Sequence, residues 1–264
     1  MKPVLTCTTE ELALLVTFSG YPEVGKGIAE SSLGTRSPEV WDSVMQATIH
    51  QLILKQLWDY EREAINEAPI SVEMENFIKS YVESKWMIRC SHQPEQHIMM
   101  IHKVDGDTWL SHLIDRDIMH EFAYITSDEL AGHIADYYSF KDIQFKEDLA
   151  FHLTEGDFDQ LSNPENVEKL AVDTYFLPEE KAAFSQFLKA LNAHNWSLNN
   201  ISIFNLPDLE ADPLLANILF FLPSNNGIWI AEYTEAEDTP VHLQLHPRER
   251  WEEMLETIHF VTGE

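Results

Sequence analysis

The sequence predicts an α+β fold in which a helix-plus-antiparallel-meander unit occurs twice around a quasi-two-fold axis, giving a central antiparallel sheet flanked by helical bundles. Three observations carry that expectation. Long segments with helical spacing of apolar residues alternate with blocks of short strands. The strand blocks are antiparallel in character, joined by turns such as Asp105-Gly106. Shifting the chain by 120 residues also superposes one strand block on the other, with Trp109-Leu110 falling on Trp229-Ile230.

The elements follow in order. Thr8 or Thr9, followed by Glu10 and Glu11, caps a first helix, TEELALLVTFSG, which Gly20 stops. Ser37, Pro38 and Glu39 open a long helix, SPEVWDSVMQATIHQLILKQLWDYERE, and Pro69 separates it from a third, SVEMENFIKSYVESK. From Trp86 the period becomes that of strands: WMIRC, HIMMIHKV, TWLSHLI and MHEFAYI. Ser127, Asp128 and Glu129 restart a helix. The second half opens with three segments read as helical, FKEDLAFHLTEG, PENVEKLAVD and PEEKAAFSQFLKALNAH. Strands WSLNNISIFN, NILFFLP, GIWIAEYT and VHLQLH follow, before a closing helix, PRERWEEMLETIHF.

The shift of 120 residues lays Ile98 to Ile101 on Ile218 to Phe221, Ala123 and Ile125 on Leu243 and Leu245, and Glu129 on Glu249. Two aligned tryptophans, aligned turns and an aligned helix start together predict a duplication. The halves are residues 1–139 and 140–264, merged into one globular unit because each alone leaves an apolar sheet face to bury.

Composition narrows the function. With 44% hydrophobic residues in 264, the chain can bury a substantial core. Its 45 acidic against 17 basic side chains give a formal net charge of -28, which repels phosphate backbones and anionic lipid, so neither nucleic acid nor membrane insertion is expected. The acids are dispersed, as on a solvated surface. Cys7 and Cys90 form no CxxC or metal-ligand spacing, and the N-terminus, interrupted by Glu10 and Glu11, does not read as a signal peptide. A cytoplasmic protein is the expectation.

A search for chemistry returns no G-x-G-x-x-G, P-loop, G-x-S-x-G or H-E-x-x-H, so no catalytic residues, cofactor or metal site are expected. His92 and His97 supply only two potential ligands. SHLIDRDIMHE gathers His112, Asp115, Asp117 and His120, a set suited to acid-base work or a metal, but the second copy keeps an acidic turn there without histidines. That comparison favours a solvated hairpin turn.

The repeat also marks a candidate binding face. In VHLQLH, Val241, Leu243 and Leu245 point inward while His242 and Gln244 point outward; the outward equivalents in the first copy are Phe122 and Tyr124. Exposed aromatics on one copy alone are candidate partner contacts unless a helix of the first half covers them. Met100 suits either core or an adaptable binding surface.

The opening VLTCTTEELALL, the long helix from Trp41, the meander from Trp86 to Ile125 and its repeat resemble the EspG family of type VII secretion chaperones, including relatives encoded beside WXG and LXG substrates in Gram-positive bacteria. The resemblance covers most of the chain and rests on hydrophobic patterns. It implies a cytoplasmic chaperone that keeps a helical secreted substrate, or its heterodimer, soluble and aids its delivery for export. It also implies substrate contact by the loop between the second and third strands, here SHQPEQ with Gln93 and Pro94; because that loop is short, the sheet and the second-half helices carrying Phe187, Leu191 and Trp251, in the region corresponding to the family's C-terminal bundle, are the stronger contact candidates. An immunity protein that binds a cognate secreted toxin is the alternative.

Overall fold

The computed structural model describes residues 3–92, 97–138, 145–174, 176–209 and 211–256. The architecture is α+β and antiparallel, with ten α-helices among the described residues. The chain forms two compact units. The first comprises Met1–Ile88, His97–Thr126 and Phe204–Leu214; the second comprises Arg89–Gln96, Ser127–Ile203 and Leu215–Glu264. Neither is a continuous stretch of chain.

In the first unit, strand β1 (Leu5–Thr8) leads directly into helix α1 (Thr9–Phe18). Thr8 is the residue that caps it: its hydroxyl accepts from the Glu11 N–H at 3.3 Å while the Glu11 carboxylate accepts from the Thr8 N–H at 2.8 Å. Glu11 is buried and is held by Lys55 at 2.6 Å. Helices α2 (Pro22–Leu33), α3 (Pro38–Leu54), α4 (Tyr60–Ala64) and α5 (Val72–Val82) follow.

The long helix expected from Ser37 is therefore two. At its end Gln56 adopts a φ of 61°, the Leu57 N–H bonds the Leu52 carbonyl at 2.9 Å, and the Gln56 N–H bonds the Ile53 carbonyl at 3.0 Å. That left-handed stop satisfies the last carbonyls of α3 without a glycine. Asp59 then caps α4 through Glu61 and Arg62.

Strands β2 (Trp86–His92), β3 (His97–Asp105), β4 (Thr108–Asp115) and β5 (Met119–Thr126) form the meander, with β1 added beyond β5 in the order β1-β5-β4-β3-β2. The helices cover the face that carries Leu5, Cys7, Leu110 and Phe122, using Leu12, Leu15 and Val16 of α1 and Phe77 and Ile78 of α5.

The second unit repeats this order. Helix α6 (Ser127–Tyr137) precedes β6 (Ala150–Leu153), α7 (Glu155–Asp159), α8 (Pro164–Asp173) and α9 (Pro178–Ala193). Strands β7 (Asn199–Asn205), β8 (Leu214–Ser224), β9 (Gly227–Tyr233) and β10 (Val241–His246) and helix α10 (Arg248–Glu256) follow, with Phe204–Leu214 counted in the first unit. The strands run β7-β8-β9-β10-β6, so β6 occupies the place of β1. Segment FKEDLAFHLTEG, expected to be helical, instead supplies this edge strand. Phe151 and Leu153 alternate into the core with His152 between them, and β6 pairs residue by residue with Val241–Gln244. Four residues are too few for a period of two to be told from one of 3.6.

The duplication is explicit in the strand register. Trp109 pairs with Ile125 and Ser111 with Ala123; Trp229 pairs with Leu245 and Ala231 with Leu243, the same pairs 120 residues on. Both tryptophans are buried. One part of the superposition is corrected. Ser111 pairs with Ile101, whereas Ala231 pairs with Phe220 rather than Phe221, because the second hairpin turns one residue earlier, at Ser224 and Gly227 against Asp105 and Thr108, and the bulge between Lys103 and Asp105 offsets only half of the resulting slip.

The helical layers are not placed alike on the two copies. In the second unit α9 covers the face of Trp229, Leu243 and Leu245, with Phe151, Phe184, Phe187 and Leu191 filling the core. The equivalent of the face covered by α1 and α5 is the other side of these strands.

Candidate partner-binding surface

This difference decides the fate of the residues singled out from the repeat. Phe122 does not project to the surface: it has 0% exposure, its ring stacks on His112 at 4.1 Å, and the rings of Phe77 and Tyr81 meet it edge-on at 5.3 and 5.4 Å. The inward pattern of the second copy transfers, since Ala123 and Ile125 are buried like Leu243 and Leu245, but the outward one does not, because α5 buries the opposite face of the first copy too. Tyr124 is 41% exposed and touches Phe77 with one edge, so it alone of the pair is available to a partner. Met100 is half-buried on β3.

Phe187, Leu191 and Trp251 also have 0% exposure and are corrected from contact residues to core residues. Phe187 packs against Phe151 and Trp229, and Trp251 against Phe221 and Tyr138. Their role is to fix α9 and α10 on the sheet. Gln93 and Pro94 lie outside the described residues.

The cluster at SHLIDRDIMHE divides. Arg116 and Asp117 form an exposed turn with φ of 52° and 56°, whereas His112 and His120 are buried beneath it. The solvated-turn reading holds for the acids and fails for the imidazoles. The Thr9 hydroxyl donates to the Asp117 carbonyl at 2.8 Å, so it accepts from His120 Nε2 at 2.9 Å; His120 Nδ1 then accepts from His112 Nε2 at 2.7 Å. His102 lies alongside, its ring 6.2 Å from that of His112, and Tyr81 caps both. Neither ring nitrogen of His102 has a hydrogen-bond partner, nor does His112 Nδ1.

Burial pushes His102 and His120 down to about 4 and His112 further below its usual value, an effect that His102 and His120 reinforce. Burial pushes the Cys7 thiol, beside them on β1, up to about 12. Neutral imidazoles and a protonated thiol sealed from solvent suit packing rather than acid-base or nucleophilic work. Among the described residues no three His, Cys, Asp or Glu side chains are grouped so as to hold a metal ion. No helix among them is long and apolar enough to cross a membrane.

An apolar opening lies in the second unit, where two strands part. The β8–β9 ladder runs only from Phe220 and Ala231 to Ser224 and Gly227, although β8 begins six residues earlier, at Leu214. Beyond the ladder, a cavity of about 380 Å³ is lined by Asn217, Ile218 and Leu219 of β8, Glu232 and Tyr233 of β9, Ile201 and Ile203 of β7 and Leu255 of α10. Tyr233 is 57% and Leu215 54% exposed. The Asn217 side chain accepts from the Ile218 N–H at 2.8 Å, supplying locally a partner for a backbone group in this lining. Sequence reasoning missed this mouth, though a signal existed: the apolar stretch LLANILFFLP is longer than its partner GIWIAEY.

The family described as "Uncharacterised protein YfjC" matches residues 5–252. No curated protein matches the chain. Among solved structures, the Mycobacterium tuberculosis type VII secretion system chaperone EspG5, solved in complex with a PE25-PPE41 dimer, is similar over 96% of this chain and 93% of that one. The TM-score is 0.57 and the sequence identity 11%, a likeness of fold. Neither the family nor this structure indicates an enzymatic activity.

Proposed function

The chain belongs to the YfjC family, and we propose that it is a chaperone-like binding protein of the cytoplasm that holds a helical type VII secretion substrate soluble and aids its delivery for export. The observation that carries this reading is the likeness to EspG5, which spans nearly the whole of both chains, where EspG5 is a chaperone seen with its bound dimer. The site chemistry agrees with it. Holding a helical client needs an apolar recess and no nucleophile, and the mouth between β8 and β9 supplies such a recess with Ile218, Leu219 and Tyr233 at its rim. A net charge of -28 keeps a complex with an apolar client dispersed.

The test is co-purification from the native host followed by truncation of whatever is bound. Recovery of a secreted protein through its N-terminal helical region supports the proposal. Recovery through a C-terminal toxin domain alone replaces it with the immunity reading.

A further inference from the structure

We infer that the client segment seated in the mouth between β8 and β9 is an apolar segment bordered by lysine or arginine side chains. The inference rests on the chaperone reading and adds the chemistry of the segment recognised. The mouth is apolar except at its margins, where Glu232 is the one charged side chain in the lining. The connection from β9 to β10 adds Glu235, Glu237 and Asp238, all exposed. Glu155 and Asp159 act on Tyr233 from α7: its phenol is raised first by desolvation and then by these two carboxylates.

The two arginines of α10 are paired within their own helix. In this helix, whose Leu255 lines the mouth, Arg248 is bonded to Glu252 at 2.7 Å and Arg250 to Glu253 at 3.3 Å. A client carrying acids beside its apolar anchor meets repulsion at this margin, and one carrying bases is attracted to it. The apolar walls provide the affinity and the acidic rim selects among apolar segments.

Two synthetic amphipathic helical peptides with identical leucine and phenylalanine positions, one flanked by lysines and one by glutamates, test this against the full chain by fluorescence anisotropy. The lysine-flanked peptide should bind about tenfold more tightly at low salt, the ratio shrinking as salt screens the rim. Tyr233→Ser and Ile218→Ser should weaken it, with circular dichroism confirming the fold; Tyr233 is exposed enough to be changed without loss of core. Equal binding of both peptides, lost in both variants, overturns the charge inference and leaves the docking reading standing. Lysine-peptide binding untouched by both variants marks a general attraction to the acidic surface and overturns both, as does binding of neither peptide.

Discussion

Acidification should destabilise the chain through the buried histidines of the first unit, and the size of the effect follows from their surroundings. His102 has both ring nitrogens without a partner, and burial holds it at about 4 against 6.5 for the free side chain. The facing titratable groups offer little compensation. Tyr81 from α5 and Cys7 from β1 are held protonated by burial, while Glu10 and Asp117 pull only His120 upward and do not overcome its desolvation.

A histidine whose folded value is depressed stabilises the fold fully above its unfolded value and ceases to do so as pH falls from 6.5 through the folded value near 4. Between pH 7.5 and pH 5 the loss from His102 alone comes to about 2 kcal/mol. His112 and His120 act in the same direction. Urea unfolding at pH 7.5, 6 and 5, compared between the wild-type chain and His102→Leu, isolates the contribution. The variant should lose about 2 kcal/mol less than wild type over that interval. Equal pH dependence of the two proteins, or a His102 imidazole that titrates near 6.5 by NMR, refutes the reasoning.

Three further outcomes are expected. Phe122→Ala should cost about 3–5 kcal/mol in urea unfolding, since it empties the space between His112, Phe77 and Tyr81, whereas Tyr124→Ser should stay within about 1 kcal/mol. Gly227→Ala should lower Tm measurably: the residue sits at φ 153° and a Cβ there lies 2.8 Å from the His246 carbonyl oxygen and from Leu245 Cγ. Thr8→Ala should cost about 1 kcal/mol by removing the α1 cap, and Thr8→Ser should recover most of it.

Much of the architecture was legible because it is written in alternation. WMIRC, HIMMIHKV, TWLSHLI and MHEFAYI each became the expected strand, and the paired tryptophans marked equivalent positions that the register bears out. What escaped was decided by contacts remote in sequence. AFHL became a strand because β10 offered an edge, and α3 ended at Gln56 through backbone bonds that no residue type announced.

The binding face was harder still. Comparing copies presumes that the side left open in one is open in the other; both bury the side of Ala123, Ile125, Leu243 and Leu245, but in the first unit α5 covers the Phe122 side as well. Phe187, Leu191 and Trp251, the candidate contacts on the second-half helices, are core for the ordinary reason that large apolar side chains on amphipathic helices face inward. The β8–β9 mouth depends on where a ladder stops, which strand length hints at and only the register reveals.

The central claim is that the chain binds a helical secretion substrate, and the direct measurement is calorimetric titration of the full chain with the N-terminal helical region of the secreted protein that co-purifies with it. The account predicts a saturable complex that keeps that region soluble and that Ile218→Ser weakens while leaving the fold intact. Saturable binding of the isolated C-terminal domain, with no heat from the helical region, contradicts it.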